Sequence, residues 1–400
     1  MNILSERISR MAESETLSMA RMSRELTAQG HRVINLSIGE PDFNTPDFVK
    51  EAAKEALDQN HTRYTPVSGY PDLRKAICHK FERDNGLHYT PEQIVVSAGA
   101  KHSIANAMMC LVDEGDEVLV PVPYWVSYKE IIKLAGGVPV FIPASIETDF
   151  KVTAEQIEAA ITPKTKAIIY SSPCNPSGSV YTHEELQAIA QVLASHENFF
   201  VIADEIYEHI NFTGKHVSIA QFPEIKDRVV TVNGVSKGFA MTGWRIGFIG
   251  APLEIAKACD KLQGQFTSGV CSIAQKASIA ALEADPSTTE ELLTMQKAFL
   301  ERRDYLIALL RELPGFTLNV PQGAFYLFPD ISHYFGRSFE NTKIHNAGDL
   351  SMYLLNAAHV AVVPGDAFGS PECLRFSYAT SKEELKEAVE RIAVALKKLT

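Results

Sequence analysis

Val229-Val230-Thr231-Val232-Asn233-Gly234 is an apolar run that leads, after Val235, into Ser236-Lys237, and the next charged side chain is Arg245. It reads as a buried strand with a lysine at its carboxyl end. Working outward, further short apolar runs occupy residues 94–97, 117–120, 138–142, 167–171, 199–203 and 246–249. Most are apolar throughout rather than alternating, as expected of strands covered on both faces. The stretches between them are long enough for crossover helices, residues 184–196 for example. Alternation of this kind predicts an α/β fold: one mostly parallel sheet of seven strands sandwiched by helices.

Polar outliers cluster just past the ends of several runs: Gly99-Ala100-Lys101, Tyr124-Trp125, Asn175, Asp204 and Ser236-Lys237. In open α/β sheets, ligands bind outside the carboxyl ends of the strands. Groups up to about 140 residues apart are therefore expected on one rim. After about residue 285 the texture changes. Residues 288–313 read as a long charged amphipathic helix. Residues 317–320, 324–329 and 360–363 read as short strands, and 381–399 as a closing helix with a Ser381/Glu384 capping box. These form a second, smaller α/β unit.

Each outlier has chemistry to offer. A lysine amine beside a serine hydroxyl and an arginine suits a covalently held, anionic cofactor. Asp204 ends an apolar run, where an unpaired carboxylate is costly; a protonated ring nitrogen would remove that cost, although a helix cap is the plainer use. Gly99-Ala100-Lys101 opens a helix right after a strand, and its free amides favour an anion. Arg375, in the apolar Leu374-Arg375-Phe376, needs an anion of its own, and a carboxylate fits its planar fork. An aldehyde for lysine, a pyridine nitrogen for aspartate and a phosphate for serine and arginine together describe pyridoxal phosphate.

In this order the residues resemble the class I aminotransferases, fold-type I pyridoxal-phosphate enzymes, with the likeness strongest to the gamma subgroup of bacterial aspartate aminotransferases. The resemblance runs from Gly39-Glu40-Pro41-Asp42-Phe43 through Tyr124-Trp125 and Ser236-Lys237 to Arg375-Phe376-Ser377. It implies a large domain at residues 46–285 and a small one made of 1–45 and 286–400. It implies Lys237, Asp204 and Tyr207 as catalytic residues. Trp125 would stack on the cofactor ring, though a core tryptophan is the plainer use. Asn175 and Tyr207 would hold its phenolic oxygen, and Gly99, Ala100, Lys101, Ser236 and Arg245 its phosphate. Tyr64 would reach the phosphate of a neighbouring subunit, making the enzyme a homodimer with shared sites. Gly39, Asn175 and Arg375 would take the substrate α-carboxylate, with Trp125 also lining the substrate. Lys101, helped by a hydroxyl near Thr16, would take a distal carboxylate. The resemblance also implies a cis Asn175–Pro176 bond and a cis Val122–Pro123 bond.

The expected substrates are thus amino acids and 2-oxo acids, aspartate and glutamate first. Other chemistries share the cofactor motifs: alanine, aromatic or prephenate transamination, or a β-lyase. Ala12 stands where a lysine accompanies prephenate use, and Ala100 where the family turn has a second glycine. The net charge of −11 argues against nucleic acid or an anionic membrane as partner. No G-x-G-x-x-G follows an early strand, which disfavours a dinucleotide site. The six cysteines form no CxxC pair and read as reduced thiols. No cysteine has a metal-like cluster of Cys or His around it, and no signal peptide or apolar run of about 18 residues is evident, so no metal, no membrane and a cytoplasmic setting are expected.

Overall fold

A computed structural model describes residues 3–9, 11–13, 15–340 and 342–400. The seven apolar runs form β1 (Ile94–Ser97), β2 (Glu117–Pro121), β3 (Val138–Ile142), β4 (Thr165–Ser171), β5 (Phe200–Asp204), β6 (Val229–Gly234) and β7 (Gly247–Gly250). They pair in the order β1-β7-β6-β5-β4-β2-β3. The central strands are buried apart from the half-buried first residues of β2, β4 and β5, whereas Val138 and Phe141 of the edge strand β3 stay substantially exposed.

Every pairing is parallel except the two made by β7, which runs against both β1 and β6. This reversal matters for the site. Because β7 starts where its neighbours end, Arg245, two residues before it, lies on the same rim as Ser97 and Gly234, which both face Gly247. Gly247 is the point of closest approach. A Cβ there would lie 2.2 Å from the amide nitrogen of Ala100. The absent side chain lets the helix Ala100–Leu111 start directly above the sheet.

Helices fill the connections. His183–Ala194 is capped by Thr182, whose hydroxyl accepts from the Glu185 amide. The long helix Glu290–Arg311 follows the change of texture. Beyond it, Val363–Pro364, Leu374–Ser377 and Tyr326–Leu327 make a small antiparallel sheet, and Ile34–Asn35 pairs in parallel with Val360–Ala361. The early chain thus joins the late chain. Among the described residues no helix is long and apolar enough to cross a membrane.

Three local expectations change. Residues 317–320 form no strand; Thr317 alone bridges Asp330, and Asn319 turns its amide to Asp149 and Ser177 instead. The run 324–329 keeps only Tyr326–Leu327 as strand because Ala324 takes a left-handed backbone, φ 56°. The closing helix Lys382–Leu396 has half of its capping box. Ser381 accepts from the Glu384 amide, but the Glu384 carboxylate takes the Thr380 hydroxyl at 2.5 Å.

The segment after β5 has two faces. Asp204 and Tyr207 point one way; Glu205 and Glu208 point into a buried polar cluster on the other. Lys80, at the end of helix Pro71–Lys80 and only 1% exposed, ion-pairs with Glu208 and donates to Asn85 at 2.7 Å. Asn85 in turn donates to Glu208 at 2.8 Å. Burial alone would raise the Glu208 pKa, but the charges of Lys80, His209 and His216 hold it far below the usual carboxylate range. His216 meets Glu205 at 3.1 Å. Breaking one side of a buried pair leaves an uncompensated charge, which costs about 3–5 kcal/mol. Lys80→Ala is therefore predicted to lower the unfolding free energy by about that amount, read from urea unfolding of the cofactor-free protein. A loss below about 1 kcal/mol would show that the cluster is not the anchor of this segment.

Candidate active site

One cavity of about 310 Å³ opens at the rim where the strands end, in the volume range of small-molecule sites. Of the residues singled out from sequence, Thr16, Gly39, Ala100, Lys101, Trp125, Asn175, Asp204, Tyr207, Ser236, Lys237, Arg245 and Arg375 line it. Gly99 sits one residue behind its wall, and Tyr64 is outside it, 99% exposed.

Lys237 follows β6, and its Nζ donates to the carbonyl of Gly39 at 2.5 Å. Burial lowers its pKa to about 8; Glu40 opposes the shift, while Arg245 and Arg375 add to it. Asp204 is the last residue of β5, buried at 4% exposure. Tyr128 donates to its Oδ2 at 2.7 Å, and the Ile206 amide to its Oδ1 at 3.3 Å. Desolvation pushes its pKa up to about 6 despite those two donors. Asp204 is thus a carboxylate short of positive charge, while Glu205 beside it turns away to His216.

The anion-binding end is built on the β1–helix turn. Gly99 caps helix Ala100–Leu111 with φ 86°, and a Cβ there would lie 2.1 Å from Arg245 Nη2. The guanidinium therefore sits against the helix start, where the first amides have no carbonyl to bond. Arg245 is tied by donation to the carbonyls of Thr242 at 3.0 Å and Ala98 at 3.1 Å. Ser236 is buried and lines the same cavity. The Lys101 ammonium stands 4.9 Å from the centre of the Trp125 ring, and its pKa is lowered, first by burial and then by Arg245.

Arg375, 2% exposed, lies across the cavity on the strand Leu374–Ser377. It donates to Asn175 Oδ1 at 3.0 Å and to the Ser37 carbonyl at 2.6 Å, and its Nε has no partner. No carboxylate faces it among the described residues; its neighbours are the rings of Tyr326, at 4.5 Å, and Phe368, at 5.1 Å. A buried guanidinium without a counter-ion is a ready carboxylate site.

The turn bearing Asn175 corrects one expectation. The cis bonds among the described residues are Val122–Pro123, as expected, and Ser172–Pro173, not Asn175–Pro176. The chain turns as soon as it leaves β4: Ser172 still donates to the Asp204 carbonyl, and Cys174 already donates to Ser179. Asn175–Pro176 thus falls inside a closed loop that needs no further reversal.

Sequence reasoning passed over Tyr128, Tyr326, Ser171 and Thr242. Tyr128 was within reach, since it follows Trp125 by three residues and so shares its side of a helical turn. Tyr326 carries no local signal; only the fold brings its hydroxyl within 2.8 Å of Tyr207.

Comparison with known proteins agrees with this geometry. The family model described as aminotransferase class I and II matches residues 31–392. The chain belongs to the class I and II aminotransferases. It is 48% identical over 395 residues to a Petunia hybrida protein named bifunctional aspartate aminotransferase and glutamate/aspartate-prephenate aminotransferase, covering 98% of this chain and 82% of that one. It is 46% identical to the aspartate aminotransferase of Geobacillus stearothermophilus, covering 97% and 98%. The crystal structure of the aspartate aminotransferase from Rhizobium meliloti superposes with a TM-score of 0.95 at 44% identity, covering 99% of both chains. The chain is thus an amino-group transferase in fold and family.

The depressed Lys237 pKa makes a prediction independent of any cofactor. The neutral amine is the nucleophile, so its reactivity rises as pH rises through the folded pKa. In the cofactor-free protein, trinitrobenzenesulfonate labelling of Lys237, followed by peptide mass, is expected to rise with a midpoint about 8. A midpoint near the ordinary lysine value of about 10.4 would refute the desolvated amine.

Proposed function

We propose that this aminotransferase moves the amino group of aspartate, and of glutamate, to a 2-oxo acid such as 2-oxoglutarate, in a ping-pong reaction dependent on pyridoxal phosphate. The observation that carries the reading is Arg375: a buried guanidinium with no carboxylate partner among the described residues, in one cavity with a desolvated lysine amine.

The donor set fits the cofactor. Gly99 leaves the cradle that a Cβ would fill, beside Arg245 and Ser236, for a phosphate. Asp204, its pKa raised by burial and with no ion-pair partner among the described residues, has use for a protonated ring nitrogen. When bound, pyridoxal phosphate supplies an aldehyde for an amine and a ring that withdraws electrons from the substrate Cα. The Lys237 Nζ would hold the cofactor and, once displaced by substrate, take the proton from the substrate Cα. Asp204 would hold a proton on the ring nitrogen. Trp125 would cover the ring face, and Asn175 and Tyr207 would donate to the phenolic oxygen. Arg375, with Asn175 and Gly39, would clamp the α-carboxylate and exclude water from that end. Thr16 would help with the distal group.

The distal carboxylate of aspartate or glutamate needs its own counter-ion. With Arg375, Arg245 and Lys237 committed to the α-carboxylate, the phosphate and the cofactor aldehyde, Lys101 is the remaining cation among the described residues of the cavity wall. A charge-assisted bond of this kind contributes about 1.5–3 kcal/mol. Lys101→Ala is expected to reduce kcat/KM for aspartate and glutamate by about 10- to 200-fold and to spare alanine and phenylalanine. The check is half-reaction kinetics on the loaded enzyme. Equal losses across the panel would remove Lys101 from specificity. Arogenate belongs in the same panel, since the Petunia relative is also named for prephenate.

The chain is read as a large domain, residues 46–285, and a small one, 1–45 with 286–400, that closes over bound substrate because Gly39 and Arg375 belong to the latter. A cytoplasmic homodimer is the working form, with Tyr64, fully exposed in the single chain, completing the phosphate site of the partner subunit. A mixture of Tyr64→Phe and Lys237→Ala chains tests this. In the heterodimer, the site with the intact lysine receives its tyrosine from the other chain and is expected to regain wild-type cofactor affinity. Affinity fixed at the Tyr64→Phe level would place the tyrosine's action within its own chain or nowhere.

A further inference from the structure

Tyr207 and Tyr326 come from distant parts of the chain, both fully or nearly fully buried, and their hydroxyl oxygens lie 2.8 Å apart. Each phenol has one proton to donate and can also accept. At that distance one proton lies between them, and its owner decides what the cavity meets. If Tyr207 donates to Tyr326, Tyr207 presents only an acceptor to the cavity. If Tyr326 donates, the proton of Tyr207 is free to point inward. Tyr326 is fixed by Arg375, whose guanidinium carbon stands 4.5 Å over its ring, and by Gly39, where a Cβ would lie 3.2 Å from its hydroxyl.

We propose that Tyr326 is a positioning residue: it donates its hydroxyl proton to Tyr207 and so aims the single proton of Tyr207 into the cavity. The cation packed on Tyr326 sets that direction: the Arg375 guanidinium carbon stands 4.5 Å over its ring and makes its hydroxyl the more polarised of the two. Burial raises the pKa of Tyr326, but Arg375 draws it back down. Burial and then Tyr326 raise Tyr207; Arg375 lowers it as well but ranks behind both, and Tyr207 ends well above the ordinary phenol value. The more acidic hydroxyl is the better donor, and that is Tyr326. Donation onto the Tyr207 oxygen also strengthens the bond that Tyr207 makes onward, since hydrogen bonds in a chain polarise one another. The arrangement rests on the reading of the cavity as a pyridoxal-phosphate site, where the onward acceptor is the phenolic oxygen of the cofactor.

The test reads the pH at which the visible band of the loaded protein titrates. A donor to the phenolic oxygen favours the form with one proton fewer, so weakening that donor raises the apparent pKa. Tyr326→Phe is expected to raise it by roughly 0.3–1 unit, and Tyr207→Phe by more. In the Tyr207→Phe background, adding Tyr326→Phe should change nothing, because the relay has already been cut. The phenylalanine ring still lies under Arg375, so the dissociation constant for maleate should change by less than about threefold. Tyr326→3-fluorotyrosine, a stronger donor of nearly the same shape, should shift the band the opposite way and guards against a folding defect in the phenylalanine variant. An unchanged pKa in Tyr326→Phe, or an equal rise in both backgrounds, would overturn the relay while leaving the cofactor reading intact. A protein that gains no visible band with pyridoxal phosphate would overturn both.

Discussion

Desolvation of charge is the constraint on which the rest of the structure depends. Lys237, Asp204 and Arg375 are all withdrawn from water, and burial is the leading influence on the pKa of each. No two of them are joined in a direct ion pair among the described residues. Had Asp204 met Lys237 or Arg375 directly, the charges would have satisfied each other and left nothing for a ligand. Instead, Asp204 receives hydrogen bonds from Tyr128 and Ile206, Lys237 rests on a backbone carbonyl, and Arg375 lies between two aromatic rings. A cavity lined by such underpaired groups binds a molecule that carries the complementary charges in the same arrangement.

Keeping such groups apart requires support from behind, and the segment after β5 supplies it. Asp204 and Tyr207 face the cavity, while Glu205 and Glu208 pair with His216 and Lys80 on the reverse. The reverse face is satisfied so that the front need not be. His209 adds a steric link: a Cβ on Gly238, next to Lys237, would meet its ring at 2.7 Å. The lysine loop and the aspartate segment are thus held in one packed unit, and a change in the buried cluster is felt at both.

The Arg375 end of the cavity is governed by a different part of the chain. Arg375, Tyr326 and the Ser37 and Gly39 backbones come from the chain's two ends, which are joined where Ile34–Asn35 pairs with Val360–Ala361. Tyr326 and Asn175 reach between this group and the sheet rim. Arg375 is hydrogen-bonded to Asn175, and Tyr326 to Tyr207; on the proposed reading, a carboxylate gripped by Arg375 would thus have a short physical route to the groups that would meet the cofactor.

Much of this was legible in the residues themselves. Seven short apolar runs become seven strands because continuous β-branched and aliphatic stretches between helical patterns have few other ways to bury both faces. Lys237, Asp204, Asn175 and the Gly99 turn each have a plainer use taken alone; they stood out because together they fall just past the ends of runs whose carboxyl ends share one rim. What the tertiary structure alone decided is how distant pieces meet. The antiparallel course of β7, which brings Arg245 to the rim, depends on strand pairing over more than 100 residues. The place of the cis proline depends on where β4 leaves the sheet. The exposure of Tyr64 in the single chain, and the contact of Tyr326 with Tyr207 and Arg375, depend on packing between elements that share no local pattern. Sequence determines which side chains are costly to bury; only the folded chain determines which of them are left without partners, because burial and pairing are properties of the three-dimensional neighbourhood.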